Sequence, residues 1–241
     1  MGNSSLYVIW PYSAATLLVA GVLTRYLLAS RQPLFPVAEM AVVKAVFRER
    51  LFQISIFVLV AGHLVGWLFP GAILSWNSSP VGLYLLEGLA LAAGVAAVGS
   101  SALLIWRHLE RSDRSHVTEF FDTLFLALFF TILVSGVLSA VLYRWGSSWG
   151  EVTLVPYVAS LMRGRPAVQL ATQLPPLVQL HVLATFAAIA VVPFTRLSTF
   201  LVAVLQSCAV LISQPFRAAG NAFAKWSNQH NPGRWFWPDE D

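Results

Sequence analysis

Arg50-Leu-Phe-Gln-Ile-Ser-Ile-Phe-Val-Leu-Val-Ala-Gly-His63-Leu-Val-Gly-Trp-Leu-Phe69 is an apolar stretch of membrane-spanning length with one histidine inside it. A helix needs about 20 apolar residues to cross a bilayer core. A histidine placed there needs a partner, because an unsatisfied buried polar group costs roughly 2–7 kcal/mol. One other histidine has such surroundings, His181 in Pro176-Leu-Val-Gln-Leu-His181-Val-Leu-Ala-Thr-Phe186. His108, His116 and His230 sit in polar, charge-rich stretches.

The rest of the chain agrees with a membrane setting. Of its 241 residues 57% are hydrophobic and only 11% charged, against about 25% charged in soluble domains. The net charge of +4 is spread over loops and gives no nucleic-acid footprint. A single cysteine, Cys208, excludes an internal disulfide and a cysteine-held cluster. No Lys or Arg precedes Arg25, so the first apolar stretch lacks the charged start of a cleavable signal and reads as a retained span.

Five segments meet the length requirement, near Leu6–Leu28, Leu51–Phe69, Gly82–Trp106, Phe120–Tyr143 and Leu177–Val202. They lack the period-two alternation of a barrel, and a helix satisfies its own backbone in lipid. The expected fold is an all-α integral membrane protein, a five-helix transmembrane bundle with its N-terminus outside and a C-terminal extension inside. That orientation puts every basic residue except Arg144, Arg163 and Arg165 at inside-facing ends. The bundle is expected to occupy residues 1–213 and a cytoplasmic tail residues 214–241. Leu197–Ser213 is also apolar, and Pro193 can kink the helix before it. Arg196 favours an interface there, so an extension is preferred over a sixth span. In the outer loop, Val152–Met162 reads as a short interfacial helix, and Trp235–Trp237 as an anchor for the tail.

With this topology His63 lies about six residues, roughly 9 Å, below the outer boundary, and His181 about four residues, roughly 6 Å, below it. Two histidines on separate helices at matching depth suit the two axial positions of a haem, with Gly62 and Gly66 either clearing space for the ring or serving as ordinary helix-packing positions. The bland alternative is two histidines hydrogen-bonded between helices. Zinc lacks a third and fourth ligand.

These residues, together with Pro11-Tyr12, Leu51-Phe52-Gln53, Gly62-His63-Leu-Val-Gly66, Trp149-Gly150-Glu151, Leu180-His181-Val182 and Pro193-Phe194-Thr195-Arg196-Leu197, carry a resemblance. The chain resembles the gamma subunit of respiratory nitrate reductases, a five-span cytochrome b of the prokaryotic cytoplasmic (inner) membrane. The resemblance implies a haem b membrane anchor that exchanges electrons between quinone and a molybdenum/iron–sulfur oxidoreductase, rather than a catalyst alone. It implies haem ligands at His63 and His181. The family's second, inner haem uses two further histidines, and here those positions hold Gln53 and Thr199. One bis-histidine haem is therefore expected, and with it a molybdenum-containing catalytic subunit and an iron–sulfur subunit on the extracytoplasmic face. The family's quinol-linked lysine has no counterpart in Val81–Gly88, where Glu87 is the acid present. Glu87 either takes a quinol proton or hydrogen-bonds a neighbouring helix. Arg163 and Arg165 either meet haem propionates or are solvated loop charges. Asp122 is expected to cap the fourth span or pair with an arginine. A purely structural anchor without a redox cofactor is the competing function.

Overall fold

The computed structural model describes residues 5–29, 49–111, 117–199, 201–202, 214, 220–222 and 225–226. The chain falls into two compact units, Met1–Ser198 and Thr199–Asp241. Among the described residues of the second unit the backbone is helical. The apolar stretch 203–213, Cys208 and the Trp235–Trp237 anchor lie outside the described residues.

The first unit is built from helices, in the order α1 (Leu6–Ala29), α2 (Arg50–Leu68), α3 (Pro70–Trp76), α4 (Pro80–Arg111), α5 (Val117–Leu142), α6 (Gly146–Met162), α7 (Val168–Thr172) and α8 (Pro176–Val191). A 3-10 turn, Val192–Phe194, follows. Five of these helices are long and apolar enough to cross a membrane: α1, α2, α4, α5 and α8 with its 3-10 turn. The segment Phe120–Leu142 is the most apolar, with a mean hydropathy of 2.5. Many large apolar side chains point outward, among them Phe57, Val81 and Leu142. In lipid that exposure is the stable arrangement, because hydrocarbon solvates these groups.

The spans pack as an arc, α2 on α4, α4 on α5, α5 on α8 and α8 on α1. Helices α2 and α8, which carry the two histidines, are not among the closely packed pairs. Helix α6 straps one end of this arc, and sequence explains its attachments. Its start is fixed by Glu87 of α4 and by Asn77, whose Nδ2 reaches the Ser147 and Ser148 hydroxyls. Its end is fixed on α1 through Pro11. Proline has no N–H to bond the carbonyl four residues back, so the Tyr7 carbonyl is left over, and the Tyr157 hydroxyl donates to it at 2.7 Å. Tyr12 Oη donates in turn to the Leu161 carbonyl at 2.8 Å, in the last turn of α6. Burial, with Tyr7 and Tyr12 nearby, pushes the Tyr157 phenol up to about 12, so it stays a donor at neutral pH. Tyr157→Phe should cost roughly 1–3 kcal/mol by leaving the Tyr7 carbonyl buried without a donor. A thermal unfolding scan in detergent measures this, and an unchanged midpoint would refute the assignment.

The fifth span corrects the sequence expectation. Instead of running on to Val202 through a kink, α8 ends at Val191, and the backbone is extended at Thr195 with ψ 164°. Pro193 removes a helical N–H and its ring crowds the preceding turn. Helix α1 closes on this break so tightly that a Cβ on Gly21 would collide with the Pro193 ring. Beyond the break, Asp122 of α5 accepts the Arg196 N–H at 2.9 Å and lies 3.5 Å from Arg196 Nε. The expected arginine partner of Asp122 is thus Arg196. The interfacial helix is also longer than expected, since α6 starts at Gly146 rather than Val152.

Candidate functional site

Each histidine is oriented by a main-chain carbonyl. On α2, His63 Nδ1 lies 2.7 Å from the Leu59 carbonyl one turn earlier. On α8, His181 Nδ1 lies 2.9 Å from the Ile132 carbonyl of α5 and 3.2 Å from Ser135 Oγ. A carbonyl only accepts, so both Nδ1 atoms carry the hydrogen and both Nε2 atoms keep a lone pair. The rings face across the gap between α2 and α8 with centroids 6.5 Å apart and planes 20° from parallel. No hydrogen bond joins them, and with their protons committed to carbonyls neither Nε2 can donate to the other. A metal is bound by imidazole at about 2 Å, and the ring centre lies roughly 1 Å behind the nitrogen, so two imidazoles on one ion should have centres roughly 6 Å apart. The observed centroid separation of 6.5 Å is close to that distance. Among the described residues no group of three or more His, Cys, Asp or Glu could hold a metal. Two imidazoles are the axial set of a bis-histidine haem, in which the macrocycle supplies the other four nitrogens.

The side of His181 away from lipid is shaped by Gly136 of α5. A Cβ there would sit 3.1 Å from His181 Cε1 and 3.3 Å from Nδ1, so glycine lets the ring seat against the helix. Sequence reasoning missed Gly136 and Ser135; their only signal was a pair of small residues in the middle of the fourth span. Of the two glycines near His63, Gly62 faces open space, with no atom within 4 Å of a built Cβ. Gly66 is different. It is buried, and a Cβ on it would strike the Glu151 carboxylate of α6.

The charged candidates separate. Glu87 Oε1 accepts the Ser147 N–H at 2.8 Å and the Ser147 hydroxyl at 2.6 Å. It caps α6 from the neighbouring span, the helix-to-helix bond that was one of its two expected roles. Arg163 and Arg165 are exposed and flank the turn that ends α6. There Gly164 takes φ +69° while the Gly164 and Arg165 N–H groups return to the Leu161 and Ser160 carbonyls, a Schellman closure. Both arginines lie at least twelve residues along from Glu151, roughly 18 Å of helix. Arg144, not singled out from sequence, lines a cavity of 370 Å³ with Tyr143, Trp149, Thr153, Gln173, Leu174 and Pro175, just before α8.

Glu151 was visible only as part of the Trp149-Gly150-Glu151 string. Burial holds its carboxyl above the usual carboxylate range, against a smaller opposing pull from His63. Its Oε2 is buried without a hydrogen-bond partner.

Residues 3–209 match the sequence profile of a family described as nitrate reductase gamma subunit. The chain is also similar to the nitrate reductase gamma chain of Bacillus subtilis (strain 168), at 25% identity over 206 residues, covering 82% of this chain and 90% of that one.

Proposed function

Because the chain belongs to the nitrate reductase gamma subunit family, we propose that it anchors a molybdenum/iron–sulfur oxidoreductase to the membrane and passes it quinol electrons through one haem b held by His63 and His181. The observation that carries this reading is the ring geometry: near-parallel imidazoles 6.5 Å apart, each with its Nδ1–H on a carbonyl and its Nε2 lone pair free. The haem would supply a one-electron iron couple that no side chain here provides. The protein's part is positional. The Leu59 and Ile132 carbonyls fix both tautomers and strengthen Nε2 as a donor. The haem would lie between α2 and α8, whose residues there are mostly apolar.

One haem rather than two is supported at the level of Gln53. There Phe52 meets Phe129 edge-on at 6.1 Å, and Phe129 stacks on Phe125 at 6.0 Å. Gln53 itself offers no imidazole to a second haem. The basic residues support an N-terminus outside, which puts the histidine pair near the extracytoplasmic face of a prokaryotic cytoplasmic membrane. A lone haem there is best placed to serve catalytic subunits on that face. The quinone pool is the proposed electron donor.

A dithionite-reduced spectrum and haem assay of the purified chain test this reading, with one b-type haem per chain as the expected result. Two haems would overturn the reading of Gln53 and Thr199 and restore a relay to the opposite face. None would leave a structural anchor.

A further inference from the structure

We propose that Glu151 is the hydrogen-bond acceptor for a quinol hydroxyl beside His63, and that it selects the reduced over the oxidised form of the carrier; this rests on the electron-transfer reading above. The two acids at the start of α6, Glu87 beside it and Glu151 on it, are treated differently by the fold. Glu87 receives two donors on one oxygen, whereas Glu151 Oε2 is covered and receives none. A buried carboxylate oxygen without a donor is costly. Glu151 is pressed against Gly66, one turn along α2 from His63, and lies within electrostatic range of that ring.

The surroundings define the ligand class. Leu64, Val65, Leu68 and Phe69 are exposed on the same stretch of α2, and Gly62 leaves open space beside His63. A molecule arriving here comes through an apolar face and must carry a hydrogen-bond donor on an apolar body. A quinol has that form, with hydroxyls on a flat ring. A quinone presents only carbonyl acceptors, which a carboxylate repels. Glu151 as a whole is only partly buried, and the last torsion of a glutamate turns easily, so Oε2 can swing to meet the donor.

The test is anaerobic tryptophan-fluorescence titration of the purified full chain with menadiol and with menadione, beside a haem spectrum of each variant. Hydrogen bonds to charged groups contribute enough for roughly a ten- to hundredfold preference, so wild type should bind menadiol at least about tenfold more tightly than menadione. Glu151→Gln, which offers a donor as well as an acceptor, should bring the two affinities together while the spectrum stays unchanged. Should that variant lose its haem, Glu151→Asp takes its place and must keep the menadiol preference. A wild type that prefers menadione, a Gln variant with the wild-type ratio, or an Asp variant without preference would each overturn the assignment. A wild type without haem would instead refute the electron-transfer reading, and the affinity ratio could still be measured.

Discussion

Replacing His63 by alanine should abolish haem binding while leaving the helix bundle folded. The side chain is exposed and its one hydrogen bond is to a carbonyl of its own helix, so its removal uncovers no buried donor and opens no cavity. On the proposed reading, what is lost is one of two axial nitrogens. Changes behind a metal ligand already lower affinity about 10–100-fold, and losing the ligand itself should exceed that. His181→Ala should have the same effect on haem with a larger effect on packing, since that ring sits between α8 and α5 on the Ile132 carbonyl and against Gly136. Ser135→Ala removes only the 3.2 Å contact to His181 Nδ1 and should keep the haem. The check is the reduced-minus-oxidised spectrum per mole of chain, with circular dichroism for helix content. A His63→Ala protein that keeps its full b-type spectrum would refute the ligand assignment.

Asp122→Ala should be the most destabilising single change at the other end of the bundle. Asp122 is 6% exposed. Its carboxylate accepts the Arg196 N–H where Pro193 has ended the helix, lies 3.5 Å from Arg196 Nε, and is within electrostatic range of Arg25. Alanine would leave a main-chain donor without its acceptor and remove a carboxylate from beside two guanidinium groups. Breaking such a buried pair from one side costs about 3–5 kcal/mol. Asp122→Asn, which keeps an acceptor for the N–H but loses the charge, should cost less. Thermal unfolding in detergent ranks the three proteins, and equal midpoints for alanine and wild type would sink the argument. Haem content should not change, because Asp122 lies ten residues, roughly 15 Å of helix, from Ile132.

The Glu87 result shows where sequence reading stops. An acid in an apolar span stands out in sequence, but both a proton-handling role and a helix-to-helix bond were open. Only the position of Ser147, sixty residues away, identifies the cap. Glu151 drew less notice because it sits in a polar loop by composition. Its burial against Gly66 arises because α6 crosses over α2. The extent of α8 was misjudged for a similar reason. Hydropathy continues past Phe194, while Pro193 and the Asp122 carboxylate together end the span.

By itself the sequence determined the five spans and the two intramembrane histidines. Lipid demands long apolar helices with internally bonded backbones, and that demand is met residue by residue along the chain. The tertiary structure decided which polar groups meet. It brought His63 and His181 to 6.5 Å, set Glu87 on a helix end, and left Glu151 Oε2 without a donor among the described residues. Those outcomes depend on which faces of separate helices oppose one another. With apolar residues all around each span, no hydrophobic stripe in the sequence records that choice.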